Sequence, residues 1–144
     1  MGKRTWIDSD IWEDTEDLDA KSRHFYLYLL TNSRRNIAGY YKVSLKHFAS
    51  DLGLSEAKVE QMLMKKQKYW LYDKATSQVL IPKFTRYNIV KSSQQIKALN
   101  AELRKLKPCS LHRAFMDAFE EINGVGSLGL IDEKFRQEAE DILL

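Results

Sequence analysis

Residues 44–68 read SLKHFASDLGLSEAKVEQMLMKKQK and predict two short helices joined by a tight turn. Apolar residues recur at helical spacing in the first helix, at Leu45, Phe48, Ala49 and Leu52. Gly53 follows at once, and a glycine can end a helix in the left-handed conformation without a side-chain clash. Ser55 is typical of an N-cap, so a second helix is predicted to begin there.

The second helix, predicted over residues 55–68, has an apolar side and a basic side. Val59, Met62 and Leu63 form the apolar side. The basic side repeats at i, i+3, i+7 and i+10, with Lys58, Gln61, Lys65 and Lys68. Two short helices around a glycine turn, the second with a basic outer face, are the helix-turn-helix layout. An ordinary helical hairpin with a solvated lysine face would show the same local pattern.

Charge is unevenly distributed along the chain, although the formal net charge is only +3. Residues 1–20 carry two basic and seven acidic side chains, residues 21–115 carry nineteen and five, and residues 116–144 carry two and eight. The central segment therefore has a charge of +14 between two acidic ends. Such an excess favours a polyanionic partner, because phosphate neutralisation supplies much of the affinity of nucleic-acid-binding proteins.

Length and composition indicate a globular protein with one domain and short appendages. The chain has 144 residues, of which 44% are hydrophobic and 30% charged. No apolar run approaches the roughly 20 residues of a membrane span, and the first ten residues lack the apolar core of a signal peptide. We therefore expect no membrane contact and a cytoplasmic location. One cysteine and three scattered histidines give no metal-ligand spacing, and no metal or cofactor is expected.

A β-hairpin is predicted directly after the second helix. Residues 69–72 are β-prone, residues 73–78 form a polar turn, and a strand resumes at Val79 and runs through Phe84 toward Tyr87. Pro82 suggests an edge strand or a bulge, because proline cannot donate to a ladder. Residues 37–43 predict another short strand. The predicted fold is thus mainly α with a small β-hairpin (α+β), a winged helix-turn-helix in residues 1–90 followed by a helical extension in residues 91–144.

The extension and the N-terminal segment leave alternatives open. A helix over residues 92–107 has its apolar residues at a and d of two heptads, namely Ile96, Leu99, Leu103 and Leu106. This stripe could pack on the same chain or join two copies as an oligomerisation surface. Helices at residues 110–123 and 131–144 have too little chain for a second core, so their apolar faces are expected to pack on the first domain, on another copy or on a partner. Residues 4–19 are expected to pack on the core by Trp6 and Trp12, or to mask the basic surface, or to pair two chains.

We predict eleven residues that face DNA. They are Ser44, Lys46, Ser55, Lys58, Gln61, Lys65, Lys68, Lys74, Ser77, Lys83 and Arg86. Gln61 is the one obvious base reader, since an amide can pair bidentately with adenine, whereas the lysines mainly neutralise phosphate. The helix at residues 55–68 would enter the major groove and the wing at residues 73–78 would reach the backbone. Lys83 and Arg86 would line one face of the strand that contains Phe84.

Five tracts of the chain form a familiar pattern. They are TWIDSDIW at residues 5–12, HFYLYLLTN at 24–32, GYYKVSLKHFASDLGLS at 39–55, KFTRYN at 83–88 and ALNAELRKLK at 98–107. Together they resemble the N-terminal winged-helix region of phage replisome-organiser proteins and, more loosely, DnaD-type primosomal proteins of Gram-positive bacteria. Members of that family bind DNA at a phage replication origin or assist helicase loading, often as oligomers. The resemblance implies as partners double- or single-stranded DNA, further copies of the chain, and a replicative helicase or its loader, in a bacterial or phage-infected cell. Such proteins usually carry a further C-terminal domain, so the chain could also be a fragment.

No enzymatic motif is present in the sequence, and we expect no catalytic activity. There is no glycine-rich phosphate loop followed by Lys-Ser/Thr, no nucleophile elbow and no HExxH or paired-cysteine site. The favoured hypothesis is a DNA-binding protein of replication initiation. A winged-helix transcriptional regulator paired through residues 94–106 is the second hypothesis. The third is a protein-interaction module that does not bind DNA.

Overall fold

The computed structural model describes residues 4–142, and its helices and strands confirm the α+β class. Within that range eight α-helices and three strands follow one another. They are α1 (Ile11–Asp14), α2 (Ala20–Thr31), β1 (Tyr40–Lys42), α3 (Leu45–Leu52), α4 (Glu56–Leu63), β2 (Leu71–Asp73), β3 (Gln78–Leu80), α5 (Phe84–Tyr87), α6 (Ser93–Leu103), α7 (Leu111–Asn123) and α8 (Glu133–Asp141), with a 3-10 turn at Ser127–Leu130. The predicted last helix included residues 143–144, which lie outside the described range. No helix within residues 4–142 is long and apolar enough to cross a membrane.

The three strands form one antiparallel sheet in the order β1-β3-β2. Leu80 of β3 lies opposite Tyr40 of β1 on one side and Leu71 of β2 on the other. The prediction that Pro82 marks an edge strand is therefore wrong, because β3 is the central strand and ends two residues earlier. Beyond it the chain turns, and the Phe84 N–H donates to the Ile81 carbonyl at 3.0 Å. Proline suits such a turn because it has no N–H to lose.

Two hydrophobic clusters pack on the two faces of this sheet. Successive strand residues point to opposite faces, so Tyr41 and Val79 join the first cluster whereas Tyr40 and Leu80 join the second. The first cluster contains the apolar faces of α2, α3 and α4. The second contains those of α6, α7 and α8. Of the three places expected for the apolar faces of the C-terminal helices, the structure shows the first, because they pack on the second face of the sheet in residues 1–90.

The apolar stripe of α6 lies inside the second cluster. Leu99, Leu103 and Leu106 are buried within the chain, and Ile96 packs at the edge of the cluster. The sequence left two alternatives for this stripe, packing on the same chain or joining two copies as an oligomerisation surface. The three leucines pack on the same chain. The prediction of an oligomerisation surface is wrong for them, because a side chain already buried in its own chain has no surface left to offer to a second copy.

The second cluster also holds a small buried polar group around His112 of α7. The hydroxyl of Tyr40 lies 2.6 Å from His112 Nδ1 and 3.2 Å from Cys109 Sγ. The imidazole is fully buried and stacks on the ring of Phe135, with 4.2 Å between ring centroids. Burial lowers the pKa of His112 to about 4, because the charged imidazolium would lose its hydration there.

The N-terminal segment packs on the first cluster differently from the prediction. Ile11 and Leu18 are buried, whereas the side chains of Trp6 and Trp12 are 73% and 58% exposed. The prediction that the tryptophans hold the segment on the core is therefore wrong. The Trp12 ring instead lies under the Arg23 guanidinium, 5.6 Å from its centroid. Aliphatic side chains anchor the segment and leave both indoles at the surface.

Candidate nucleic-acid interface

The predicted pair of helices around Gly53 is confirmed as far as Leu63. The Ser44 hydroxyl oxygen accepts a hydrogen bond from the His47 N–H at 3.3 Å and so caps α3. Gly53 ends α3 in the left-handed conformation, with φ of 67°. The Ser55 hydroxyl oxygen then accepts from the Lys58 N–H at 3.1 Å and caps α4. Both serines predicted to face DNA therefore have a local structural role.

The outward face of α4 carries Lys58 and Gln61. Val59 and Leu63 are fully buried against the first cluster, which fixes the rotation of α4 about its axis. Lys58 and Gln61 lie on the other side and are exposed. The Lys58 Nζ donates to the Gln61 Oε1 at 3.3 Å. This bond uses the Gln61 oxygen and leaves the donor groups of its amide nitrogen available.

Predicted contacts at Lys65 and Lys68 do not lie on α4, because the helix ends at Leu63. Beyond it, the side-chain amide of Gln67 bonds the backbone N–H groups of Tyr69 and Trp70, at 2.6 and 2.9 Å. This turn buries Trp70, whose indole N–H donates to the Leu63 carbonyl at 3.2 Å. Burial of Tyr69 and Trp70 therefore overrides the helical lysine pattern, and the predicted continuous helix over residues 55–68 is wrong.

Lys65 and Lys68 instead contact the acidic N-terminal segment. The Lys65 Nζ donates to the Ser22 hydroxyl at 2.7 Å and lies 3.7 Å from an Asp19 carboxylate oxygen. The Lys68 Nζ is 4.0 Å from Asp17. The Tyr69 hydroxyl donates to Asp17 and, with the nearby positive charges of Lys68 and Lys83, lowers the pKa of that carboxyl. The positive charges of these two lysines therefore lie next to carboxylates of the same chain.

Lys83 and Arg86 lie in and beside α5, not on a strand. The predicted strand through Phe84 is wrong, since residues 84–87 form a helical turn closed by the Asn88 N–H bonding the Phe84 carbonyl at 2.9 Å. Phe84 is buried, Lys83 is half-buried and Arg86 is exposed in the last turn. The alternation that placed Lys83 and Arg86 on one strand face therefore does not exist.

The hairpin tip predicted as a wing is short and held close to its neighbours. Lys74–Ser77 connect β2 to β3, and the Lys74 Nζ lies 3.4 Å from a Glu60 carboxylate oxygen of α4. Ser77 adopts a positive φ of 56°, and its carbonyl accepts from the Val43 N–H at 2.7 Å. The tip is thus anchored on both sides, beside α4 and next to the end of β1.

Two cationic residues outside the predicted set lie beside α3 and α4. The Arg34 guanidinium is 2.7 Å from His47 Nε2, at the exposed start of α3 near Lys46. Lys21 of α2 lines a cleft of about 370 Å³ together with Lys58, Gln61 and Lys65. The paired arginines before β1 were a signal for Arg34. The position of Lys21 depends on how α2 crosses α4, which the sequence does not reveal.

Seven of the eleven predicted residues lie on the surface formed by α3, α4 and the hairpin tip, namely Ser44, Lys46, Ser55, Lys58, Gln61, Lys74 and Ser77. Two others, Lys65 and Lys68, contact the acidic segment. The last two, Lys83 and Arg86, belong to the α5 turn. Among the described residues, no three His, Cys, Asp or Glu side chains come together as a metal site. No protein family, curated protein or solved structure matches this chain.

Proposed function

We propose that the protein binds double-stranded DNA through α4 as a replication-initiation protein. One observation carries the proposal: the outward face of α4 presents an amide and a lysine with other cations beside them. In the described part of the chain, Lys46 and Lys58 form no ion pair with a carboxylate. Neither does Lys21, on the neighbouring α2. Cations without such partners are the groups that gain most from contact with phosphate.

The arrangement of elements supports the same proposal. The helices α2, α3 and α4 precede the β2–β3 hairpin, and β1, between α2 and α3, pairs with β3. A winged helix-turn-helix is expected to have this order of elements. In that arrangement the second helix of the pair enters the major groove, which is about 12 Å wide and admits an α-helix. The hairpin tip would then lie along the backbone.

Each side chain on this surface has a distinct task in the proposed complex. Gln61 reads an adenine edge through its amide, once Lys58 has moved from the Gln61 oxygen to a phosphate. Lys46 and Arg34, near the start of α3, contact the backbone of the same duplex. Ser44 and Ser55 hold the two helix ends and so fix the direction of the side chains that follow. Affinity therefore comes mainly from phosphate contacts and sequence choice from very few residues.

Of the two alternative functions, the structure favours the interaction module over the transcriptional regulator. The transcriptional regulator was to pair through residues 94–106, and the three leucines of that helix are buried in the chain. The interaction module gains support from the exposed Trp6 and Trp12 side chains. A helicase or its loader, as the resemblance implies, would bind a surface outside α4, so these partners are compatible with DNA binding.

Lys58→Ala is expected to weaken binding to duplex DNA about tenfold and to reduce the salt slope by nearly one, because one phosphate contact is lost. Lys65→Ala is the matched control, since its ammonium is bonded to Ser22 and lies beside Asp19. It should change affinity less than about twofold and leave the slope unaltered. Fluorescence anisotropy of a labelled duplex over about 50–200 mM salt measures both quantities. Equal effects of the two substitutions would contradict the assignment of α4.

The biological role is tested by selecting bound fragments from the source genome at physiological salt. Clustered direct repeats are expected for a replication-initiation protein. A single palindromic operator would favour the regulator. No salt-sensitive enrichment at all would favour the interaction module and overturn the proposal.

A further inference from the structure

A second cleft, of about 310 Å³, lies between the N-terminal segment, the loop before β1 and the chain that joins α5 to α6. The lining residues important here are Arg4, Trp6, Arg35, Phe84, Asn88 and Ile89. None of the residues that line it is acidic, and two are arginines. Its volume is at the lower end of the roughly 300–1,000 Å³ typical of small-ligand sites. The cleft thus suits one compact group that carries or adjoins negative charge.

Trp6 presents its indole at this cleft from a fixed backbone. The Trp6 N–H donates to the Asn88 Oδ1 at 2.8 Å, and the Asn88 amide donates back to the Trp6 carbonyl at 3.2 Å. The side chain nevertheless remains 73% exposed, and the neighbouring Ile89 is 52% exposed. An aromatic ring whose faces are left in water, on a backbone that is held in place, is a surface on which a flat ligand can stack.

The positive charge at the cleft comes from two differently placed arginines. Arg4 is exposed, whereas Arg35 is almost fully buried and donates to the Thr5 hydroxyl and to the Asn32 carbonyl. Desolvation lowers the pKa of Arg35 from its usual value. An arginine nevertheless stays charged in proteins, so this group adds a fixed positive potential, while Arg4 can contact an anion directly.

We propose that the cleft binds single-stranded nucleic acid, with one base stacked on Trp6 and an adjacent phosphate on Arg4. An aromatic platform beside a positively charged groove is how proteins hold single strands without reading their sequence, because every base has a face that can stack. An acidic peptide would also need hydrogen-bond partners for its backbone, and the Asn88 amide is already bonded to Trp6. The inference goes beyond duplex binding by α4 and uses none of the same residues.

Trp12 provides a matched control, since it is an exposed tryptophan of the same segment but lies under Arg23 and outside the cleft. Trp6→Ala is expected to weaken binding of oligothymidine about 5- to 150-fold, the range of one base–aromatic stack. Trp12→Ala should have no more than a twofold effect, about the scatter expected of a surface substitution. Trp6→Phe keeps a ring and should retain most of the affinity. Circular dichroism melting confirms that each variant is folded.

Fluorescence gives a second, direct readout. In a Trp12→Phe variant the remaining tryptophans are Trp6 and Trp70, and Trp70 is buried. Oligothymidine should therefore quench the emission of the exposed Trp6. Arg4→Ala should reduce the salt slope of that binding. Absence of quenching, or equal effects of Trp6→Ala and Trp12→Ala, would overturn the proposal.

Different variants test duplex binding by α4 and single-strand binding by the cleft. Trp6→Ala should leave duplex affinity unchanged, and Lys58→Ala should leave oligothymidine quenching unchanged. If oligoglutamate were to bind the cleft through Trp6 while oligothymidine did not, the occupant would be an acidic peptide and the single-strand inference would be wrong. Loss of duplex binding by α4 with quenching intact would overturn only the proposed function and would support the single-strand site.

Discussion

Gly39→Ala is expected to lower the free energy of unfolding by about 3–5 kcal/mol, through steric overlap added to left-handed backbone strain. Gly39 immediately precedes β1 and has a φ of +66°. A Cβ built at this position would lie 2.2 Å from the Phe84 Cβ and 2.4 Å from its Cγ. Those atoms belong to the buried first residue of α5, so the helical turn itself would have to move. Gly39 therefore allows α5 to pack against the start of β1.

Gly53→Ala separates the two contributions. Its φ of +67° matches that of Gly39, but no atom lies within 4 Å of the added Cβ. Only the conformational strain applies there, so we expect a loss of about 1–2 kcal/mol. Urea unfolding followed by circular dichroism measures both variants under one set of conditions. Equal losses would contradict the close approach of Phe84 to Gly39.

The stability of the protein is expected to fall by about 3 kcal/mol as the pH is lowered from about 7 to 4, through His112 alone. The pKa of His112 in the folded state is about 4, against 6.5 for an ordinary histidine. Between these two values the unfolded state binds one proton more than the folded state. The contribution is therefore fully present above pH 6.5 and is lost as the pH falls toward 4.

The pKa of His112 is low because burial removes its imidazole ring from water and leaves too few hydrogen-bond acceptors around it. His112 Nδ1 faces the Tyr40 hydroxyl, and among the described residues its Nε2 has no hydrogen-bond partner. A protonated ring would need an acceptor at both nitrogens. The neighbours Cys109 and Phe135 supply no negative charge. Protonation is thus expected to loosen the packing of α7 and α8 on the sheet.

Urea unfolding at several pH values measures this dependence, with His24→Gln as the matched control. His24 is an exposed histidine on α2, so its replacement removes one imidazole without altering the buried surroundings of His112. His112→Gln should remove most of the slope between pH 4 and 6.5, whatever its effect at pH 7. The imidazole of His112 can also be titrated directly by NMR in the folded protein. An ordinary pKa near 6.5 in that titration would refute the prediction.

Local signals predicted the α3–α4 unit well. The N-cap Ser55, the glycine Gly53 and the apolar spacing of α3 and α4 all act within a few residues, and the structure confirms each of them. The hairpin was predicted for the same reason, since a polar tract separated two β-prone tracts. Interactions between residues this close along the chain can be predicted from the sequence.

Longer-range packing caused the wrong predictions. The lysine repeat continues beyond Leu63, yet the helix stops because Trp70 must reach the core. The tract after Pro82 has strand-like alternation, but it forms α5 where Phe84 packs against Gly39. The apolar stripe of α6 could have joined two copies, because the periodicity of the sequence does not show that the sheet has a second face for this helix to cover. Each of these outcomes depends on a partner distant in sequence.

The candidate site was predicted in part for the same reasons. Lys58 and Gln61 follow from the helical period of α4, so the sequence placed them correctly on an exposed face. Lys65 and Lys68 were assigned to that face too, and their acidic partners Asp17 and Asp19 could not be identified before the path of the N-terminal segment was known. Periodicity shows which side chains share a face, but not which charges are already neutralised.

The sheet with a cluster on each face also has a consequence for synthesis. Residues 40–80 emerge from the ribosome before α6, α7 and α8. All three strands are therefore available while the sheet face that these helices cover is still exposed to solvent. Tyr40 and Leu80, which are fully buried in the finished protein, would then be open to solvent and to other nascent chains. The interval before the last helices arrive is the period of greatest exposure to aggregation, because an unsealed apolar sheet face can bind another chain. Rapid docking of α6, which directly follows α5, would shorten that interval.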